Sequence, residues 1–117
     1  MKPVVVFAIL TVCAGASPLQ HVPSKATGVA SPFAGQPEAA KAGAWLYQQH
    51  CAACHGRDAK GRERVPPLVS SNVKEASAGA VYWVLRNGGL EHGMPSFAGL
   101  PEQRLWQIVE YLLTAQK

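Results

Sequence analysis

A chain of 117 residues, with a formal net charge of +4 and only 15% charged residues, has room for one small domain and not for two cores. A domain of this size often needs a metal, a disulfide or another staple to hold it together. No dense Lys/Arg face interleaved with aromatics is present, which excludes a nucleic-acid binder.

Lys2, the apolar run from Val4 to Val12 and the small-residue site Ala14-Gly15-Ala16 read as a secretory signal peptide over residues 1–16. The run falls short of the ~20 residues that a spanning helix needs, so no membrane span is expected in the mature form. Leu10-Thr11-Val12-Cys13 distantly resembles a lipobox, making a lipid anchor at Cys13 the alternative, although Val12 is a poor residue before such a cysteine. The expected location is periplasmic. Residues 17–37 carry Pro18, Pro23, Pro32 and Pro37 among small polar residues. With few large apolar side chains to offset ordering entropy, this segment is expected to be a flexible lead-in, with His21 solvated.

The domain itself is expected over 38–117. Ala39, Ala42, Leu46 and His50 recur at helical spacing, with Gly43 and Tyr47 flanking the stripe, and predict a first helix over 38–50. That helix delivers the chain into Cys51-Ala52-Ala53-Cys54-His55, and Gly56 ends the helical stretch. C-x-x-C-H is the attachment signal for c-type haem. Cys51 and Cys54 are spaced to form two thioethers to one porphyrin, and His55 to ligate its iron. A zinc site would need a second Cys/His pair and a thioredoxin-like dithiol a βαβ pattern; the sequence has neither. With Cys13 in the leader, no disulfide framework is left.

Residues 57–71 read as irregular loop, with Arg57, Lys60, Arg62 and Arg64 diluted by Asp58 and Glu63. Asn72 and Glu75 resemble a capping box, opening a second helix to Asn87 with Ala76, Ala80, Trp83 and Val84 on one face. Gly88-Gly89 stops it. A Gly/Pro-punctuated loop follows, and Pro101 is expected at the first position of a last helix whose stripe is Leu105, Ile108, Val109 and Leu112. No segment alternates at period two, so the fold class is all-α. In the loop, Met94 between Gly93 and Pro95 is the expected sixth ligand of the iron, a soft thioether that favours the ferrous state. His92 is the alternative, giving a bis-histidine iron.

In this order the elements resemble those of the class I cytochrome c family over Ala39 to Leu113. The resemblance implies three main helices wrapped around one covalently attached haem. It implies that Gly43 and Tyr47 pack against Ile108 and Tyr111. It also implies that a loop proline, Pro66 or else Pro67, offers its carbonyl to the ring N–H of His55, with Leu68 against the haem. Trp83 and Arg86 are the implied partners of a haem propionate, and Tyr47, Leu68, Trp83, Val84 and Phe97 the implied apolar shell. The functional expectation is an exported monohaem cytochrome that carries single electrons between a donor and an acceptor protein and is not itself an enzyme. The basic loop is expected to steer an acidic docking surface. The alternatives are a dedicated cytochrome subunit of a periplasmic dehydrogenase or oxidase, and a haem peroxidase or gas sensor with an open iron site.

Overall fold

The computed structural model describes residues 18–62, 64–89 and 93–116. The leader expected over 1–16, Cys13 and His92 all lie outside them. Apart from two isolated β-bridges, all regular structure among the described residues is helical. The elements in order are a 3-10 turn at Pro18–His21, α1 (Ser24–Thr27), α2 (Pro37–His50), α3 (Ala52–His55), α4 (Ser71–Glu75), α5 (Ala78–Asn87) and α6 (Glu102–Thr114). The all-α expectation holds, and α2, α5 and α6 are the three main helices.

Helix α2 opens with Pro37 in its first turn, where the missing N–H leaves no intrahelical bond unmade. It buries Ala39, Gly43, Leu46 and Tyr47. Helix α6 buries the whole expected stripe, Leu105, Ile108, Val109 and Leu112, and also Trp106 and Glu110. Pro101 caps α6 instead of opening it, one residue from its expected role. The two helices cross at Gly43, where a Cβ would overlap the Gln107 carbonyl and stand 2.9 Å from the Tyr111 Cβ. Only a residue without a side chain allows so close a backbone approach. One turn further along, the ring of fully buried Tyr47 lies 5.2 Å from that of Tyr111, so both of the expected α2 residues meet α6. Helix α5 completes the core with Val81 and Leu85, while Tyr82 stacks on Trp106 at 4.1 Å.

The middle of the chain departs from expectation. One helix over 72–87 is replaced by α4 and α5, separated by an extended Ala76. Serine hydroxyls decide the break. Ser70 Oγ accepts the Val73 N–H at 3.3 Å, displacing Asn72 as the cap of α4, and Ser77 Oγ accepts the Ala80 N–H at 3.2 Å to start α5 afresh. A serine cap competes well with continued helix because it satisfies an N–H that would otherwise lack a partner.

The described part of the segment expected as a flexible lead-in is seated on the domain. Leu19 and Phe33 pack against the core cluster. Gly79 of α5 lies directly beneath the Ala26 and Val29 carbonyls, leaving no room for a Cβ. Further on, the Gly35 N–H donates at 3.0 Å to Glu110 Oε1, a carboxylate only 7% exposed. Composition counts neither backbone contacts nor two well-placed apolar side chains, which is why it suggested a tether.

Two outcomes follow from the crossing. Gly43→Ala forces the helices apart and costs about 1–3 kcal/mol, the usual range for overpacking, read as a lower unfolding midpoint of the haem-loaded protein. Burial, with smaller contributions from Cys51, Tyr111 and Asp58, holds the Tyr47 phenol above its ordinary value of 10.0. As pH rises through that value the unfolded chain releases the proton first, so folding stability falls above it. Tyr47→Phe removes this share of the alkaline slope, and denaturant titrations on either side of pH 10 check it.

Candidate functional site

The site begins where α2 stops. Cys51 N–H still bonds to the Tyr47 carbonyl at 2.8 Å, but the Cys51 carbonyl then accepts from both Cys54 and His55 N–H, at 3.2 and 2.9 Å. This winds Cys51 to His55 into a single tight turn. The two cysteines are three residues apart and so share one side of it. Cys51 is 6% exposed and Cys54 is exposed, and both are free thiols. Burial, reinforced by neighbouring Cys54, pushes the Cys51 thiol up to about 11. Gly56 turns the chain out of the helix with φ of +86°, a conformation suited to glycine. The Tyr47 hydroxyl donates to the Gly56 carbonyl at 2.6 Å, which ties the exit of the turn to the α2–α6 crossing.

The loop after the turn folds back beneath it. His55 Nδ1 lies 3.0 Å from the Pro66 carbonyl oxygen; Pro66, not Pro67, makes this contact. A carbonyl only accepts, so Nδ1 carries the proton and Nε2 presents its lone pair. Six further hydrogen bonds hold the loop. Gly61 N–H donates to the His55 carbonyl at 2.8 Å. The N–H groups of Leu68 and Val69 both donate to the carbonyl of Ala59, a buried residue at φ of +60°. Gln116, just past α6, accepts the Ser70 N–H on Oε1 at 3.0 Å and donates from Nε2 to the Leu68 and Leu112 carbonyls at 2.7 and 2.9 Å. Leu68 is thereby half-buried against the core cluster that contains Cys51.

Met94 belongs to a second loop. The N–H and carbonyl of Met94 pair with those of Gly89 at 3.1 and 3.0 Å, pinching the base of the loop. Gly88, at φ of +73°, packs so tightly on Met94 and Pro95 that a Cβ there would sit 2.8 Å from the Pro95 carbonyl carbon. Phe97 N–H then bonds to the Leu85 carbonyl at 2.9 Å, and the Phe97 ring meets that of His50 edge-on at 6.3 Å. The methionine loop is therefore held against α5 on one side and the end of α2 on the other. Met94 and Phe97 are half-buried against the same cluster as Leu68.

Trp83 and Arg86 lie on α5 beside the lead-in. Both line a groove of roughly 410 Å³ whose other walls are Tyr82 and Asn87 of α5, Ala26 and Val29 of the lead-in, and Glu102 and Trp106 of α6. No residue of the Cys51–His55 turn lines it, and among the described residues no hydrogen bond or ring contact joins Trp83 or Arg86 to that turn. Val84 faces inward and is buried. Sequence reasoning also missed the three groups that hold the loops: the Tyr47 hydroxyl, the Ala59 carbonyl and the Gln116 amide. Tyr47 was visible as a buried aromatic, whereas nothing in the local sequence singles out Ala59 or Gln116.

Comparison with known proteins agrees with this arrangement. Residues 38–112 match the family model described as cytochrome c oxidase, cbb3-type, subunit III. The matched stretch runs from α2 through most of α6 and includes Cys51, Cys54, His55, Pro66 and Met94. Thiosulfate dehydrogenase of Allochromatium vinosum is 34% identical over 77 residues, an alignment covering 59% of this chain and 28% of that protein. The chain thus spans less than a third of that relative's length. No solved structure matches it. A helical frame, a C-x-x-C-H turn and a family match over most of the described domain lead to one conclusion: the chain belongs to the family described as cytochrome c oxidase, cbb3-type, subunit III, as an electron-transferring cytochrome c domain whose cofactor is haem c.

Proposed function

We propose that this chain is an exported, single-haem carrier of electrons. In this reading Cys51 and Cys54 would hold the haem through thioethers, and His55 Nε2 and the Met94 thioether would ligate its iron. The observation that carries it is the bond from His55 Nδ1 to the Pro66 carbonyl, which leaves the opposite ring nitrogen free at the end of the cysteine turn. The donor set fits haem c: two free thiols on one side of a turn, an oriented imidazole, and the only methionine after the leader. One C-x-x-C-H supports one haem.

A haem held there would supply one-electron chemistry between the ferric and ferrous states. The protein's own residues prepare the surroundings. The Pro66 carbonyl fixes the imidazole tautomer and raises its basicity as a ligand. Leu68, Val84 and Phe97 keep water from that region, which lowers the local dielectric and tunes the potential. The Gly89–Met94 bond pair holds the methionine in its loop, so little rearrangement accompanies a change of charge. Export is supported by the signal-peptide pattern before Ser17 and by a cofactor that bacteria attach outside the cytoplasmic membrane. No helix among the described residues is long and apolar enough to cross a membrane.

A second reading, in which the chain is a permanent subunit of a larger oxidoreductase, has its own support. The family is named for an oxidase subunit, and the related thiosulfate dehydrogenase extends well beyond the matched region.

Optical and redox titration of the purified protein tests the ligand set. Met94→Ala is expected to lose the sulfur-to-iron charge-transfer band and to lower the midpoint potential by about 0.1 V, within the ~0.8 V that axial ligands span. An unchanged band, or rapid binding of carbon monoxide by the unaltered protein, removes Met94 as the ligand. Size-exclusion of the native extract separates the two readings: a free carrier elutes near 12 kDa, its mass being 12.4 kDa before processing, and a subunit elutes with its complex.

A further inference from the structure

We infer that the outward face of α2, centred on Trp45, is the surface on which an acidic redox protein docks to exchange electrons with this domain. The inference rests on the electron-carrier reading above. Trp45 is 63% exposed, the most exposed large hydrophobic side chain among the described residues. The core explains none of this. Ala39, Gly43, Leu46 and Tyr47 form the buried side of α2, and at 3.6 residues per turn Trp45 falls on the opposite side. An indole left in water on the back of a helix contributes no burial to folding, yet indole is the side chain most often found at the energetic centre of protein interfaces.

The surroundings define the partner. Lys41 lies one turn before Trp45 on the same face, and Gln48 one turn after it, and both are exposed. Gln48 Nε2 donates to the Arg57 backbone carbonyl at 3.0 Å, which joins the basic loop to this face. Arg57, Lys60, Arg62 and Arg64 are all exposed. Asp58, which accepts the Lys60 N–H on Oδ1 at 3.0 Å, and Glu63 stand among these four cations and leave the loop net positive. Glu38, two turns before Trp45, is the acid on the helix face itself. The result is an exposed apolar centre joined to a loop of net positive charge, which fits an acidic protein surface with an indole-sized apolar recess. Charge steers the encounter and the indole holds it. Trp45 also lies less than two helical turns before Cys51, so a protein seated here sits beside the haem turn. A lipid surface would offer the negative charge but no redox centre, and the domain's chemistry is electron transfer.

The test uses the haem-loaded protein and the envelope fraction of its own cells, with oxidation of the ferrous form followed optically. Trp45→Ala is expected to slow the second-order rate about tenfold, the effect of losing an interface anchor. Its spectrum and midpoint potential stay those of the unaltered protein. Lys41→Glu slows the rate further, added salt slows the unaltered protein, and Gln103→Ala, at an exposed position of α6, leaves the rate unchanged. A photo-crosslinking benzoylphenylalanine in place of Trp45 is expected to capture an acidic protein that itself carries a redox cofactor. An unchanged rate in Trp45→Ala overturns the inference while leaving the carrier reading intact. So does a shifted potential or spectrum, which makes the indole structural, or a crosslink to lipid or to a protein without a redox centre. Failure of the unaltered protein to pass electrons overturns the carrier reading, and this inference with it.

Discussion

The missing side chain at Gly43 lets the backbone of α6 rest on α2, and the position of the cysteine turn follows from that contact. Tyr47, one turn along, is held by Tyr111 of α6 and reaches out to the Gly56 carbonyl, on the far side of the turn. The end of α2 and the exit from Cys51–His55 are therefore fastened to one buried phenol. Because the α2 and α6 backbones meet directly at Gly43, a shift there is carried forward and not absorbed.

From that fixed turn outward, the site consists of loops tied down by side chain–backbone bonds. The Gln116 amide holds the loop that carries Pro66 and Leu68 to the end of α6. The Gly89–Met94 bonds close the methionine loop, and Phe97 joins it to α5 and to His50. Two loops that are remote in sequence are thus referred to the same three helices. For the carrier proposed above this has a physical advantage: loops held in this way would change little between oxidation states, and a small rearrangement keeps the barrier to electron transfer low.

The other faces of the frame are used differently. The lead-in covers one side of α5, with its carbonyls above Gly79 and its Gly35 N–H on the buried Glu110 carboxylate. The outer side of α2 is left open with an indole at its centre. Trp83 and Arg86 border the groove beneath the lead-in, apart from the cysteine turn. One side of the domain is thus closed by its own chain, and the side next to Cys51 is presented outward.

Sequence alone determined the features that depend on neighbours along the chain. C-x-x-C-H names its chemistry because two thioethers and a ligand must converge on one rigid group, which only a fixed local spacing allows. The α6 stripe and Gly43 were readable because helical periodicity places residues on faces before any partner is known. The split of the middle helix was less readable, since Asn72, Ser70 and Ser77 are all competent caps and the competition among them is settled by what each helix packs against. The residues that only tertiary structure revealed, Gln116 and Glu110 among them, act on backbone groups far away in sequence, up to 75 residues for Glu110 and Gly35. Such bonds carry no pattern in composition or period, because their partners become neighbours only after α2 and α6 have crossed.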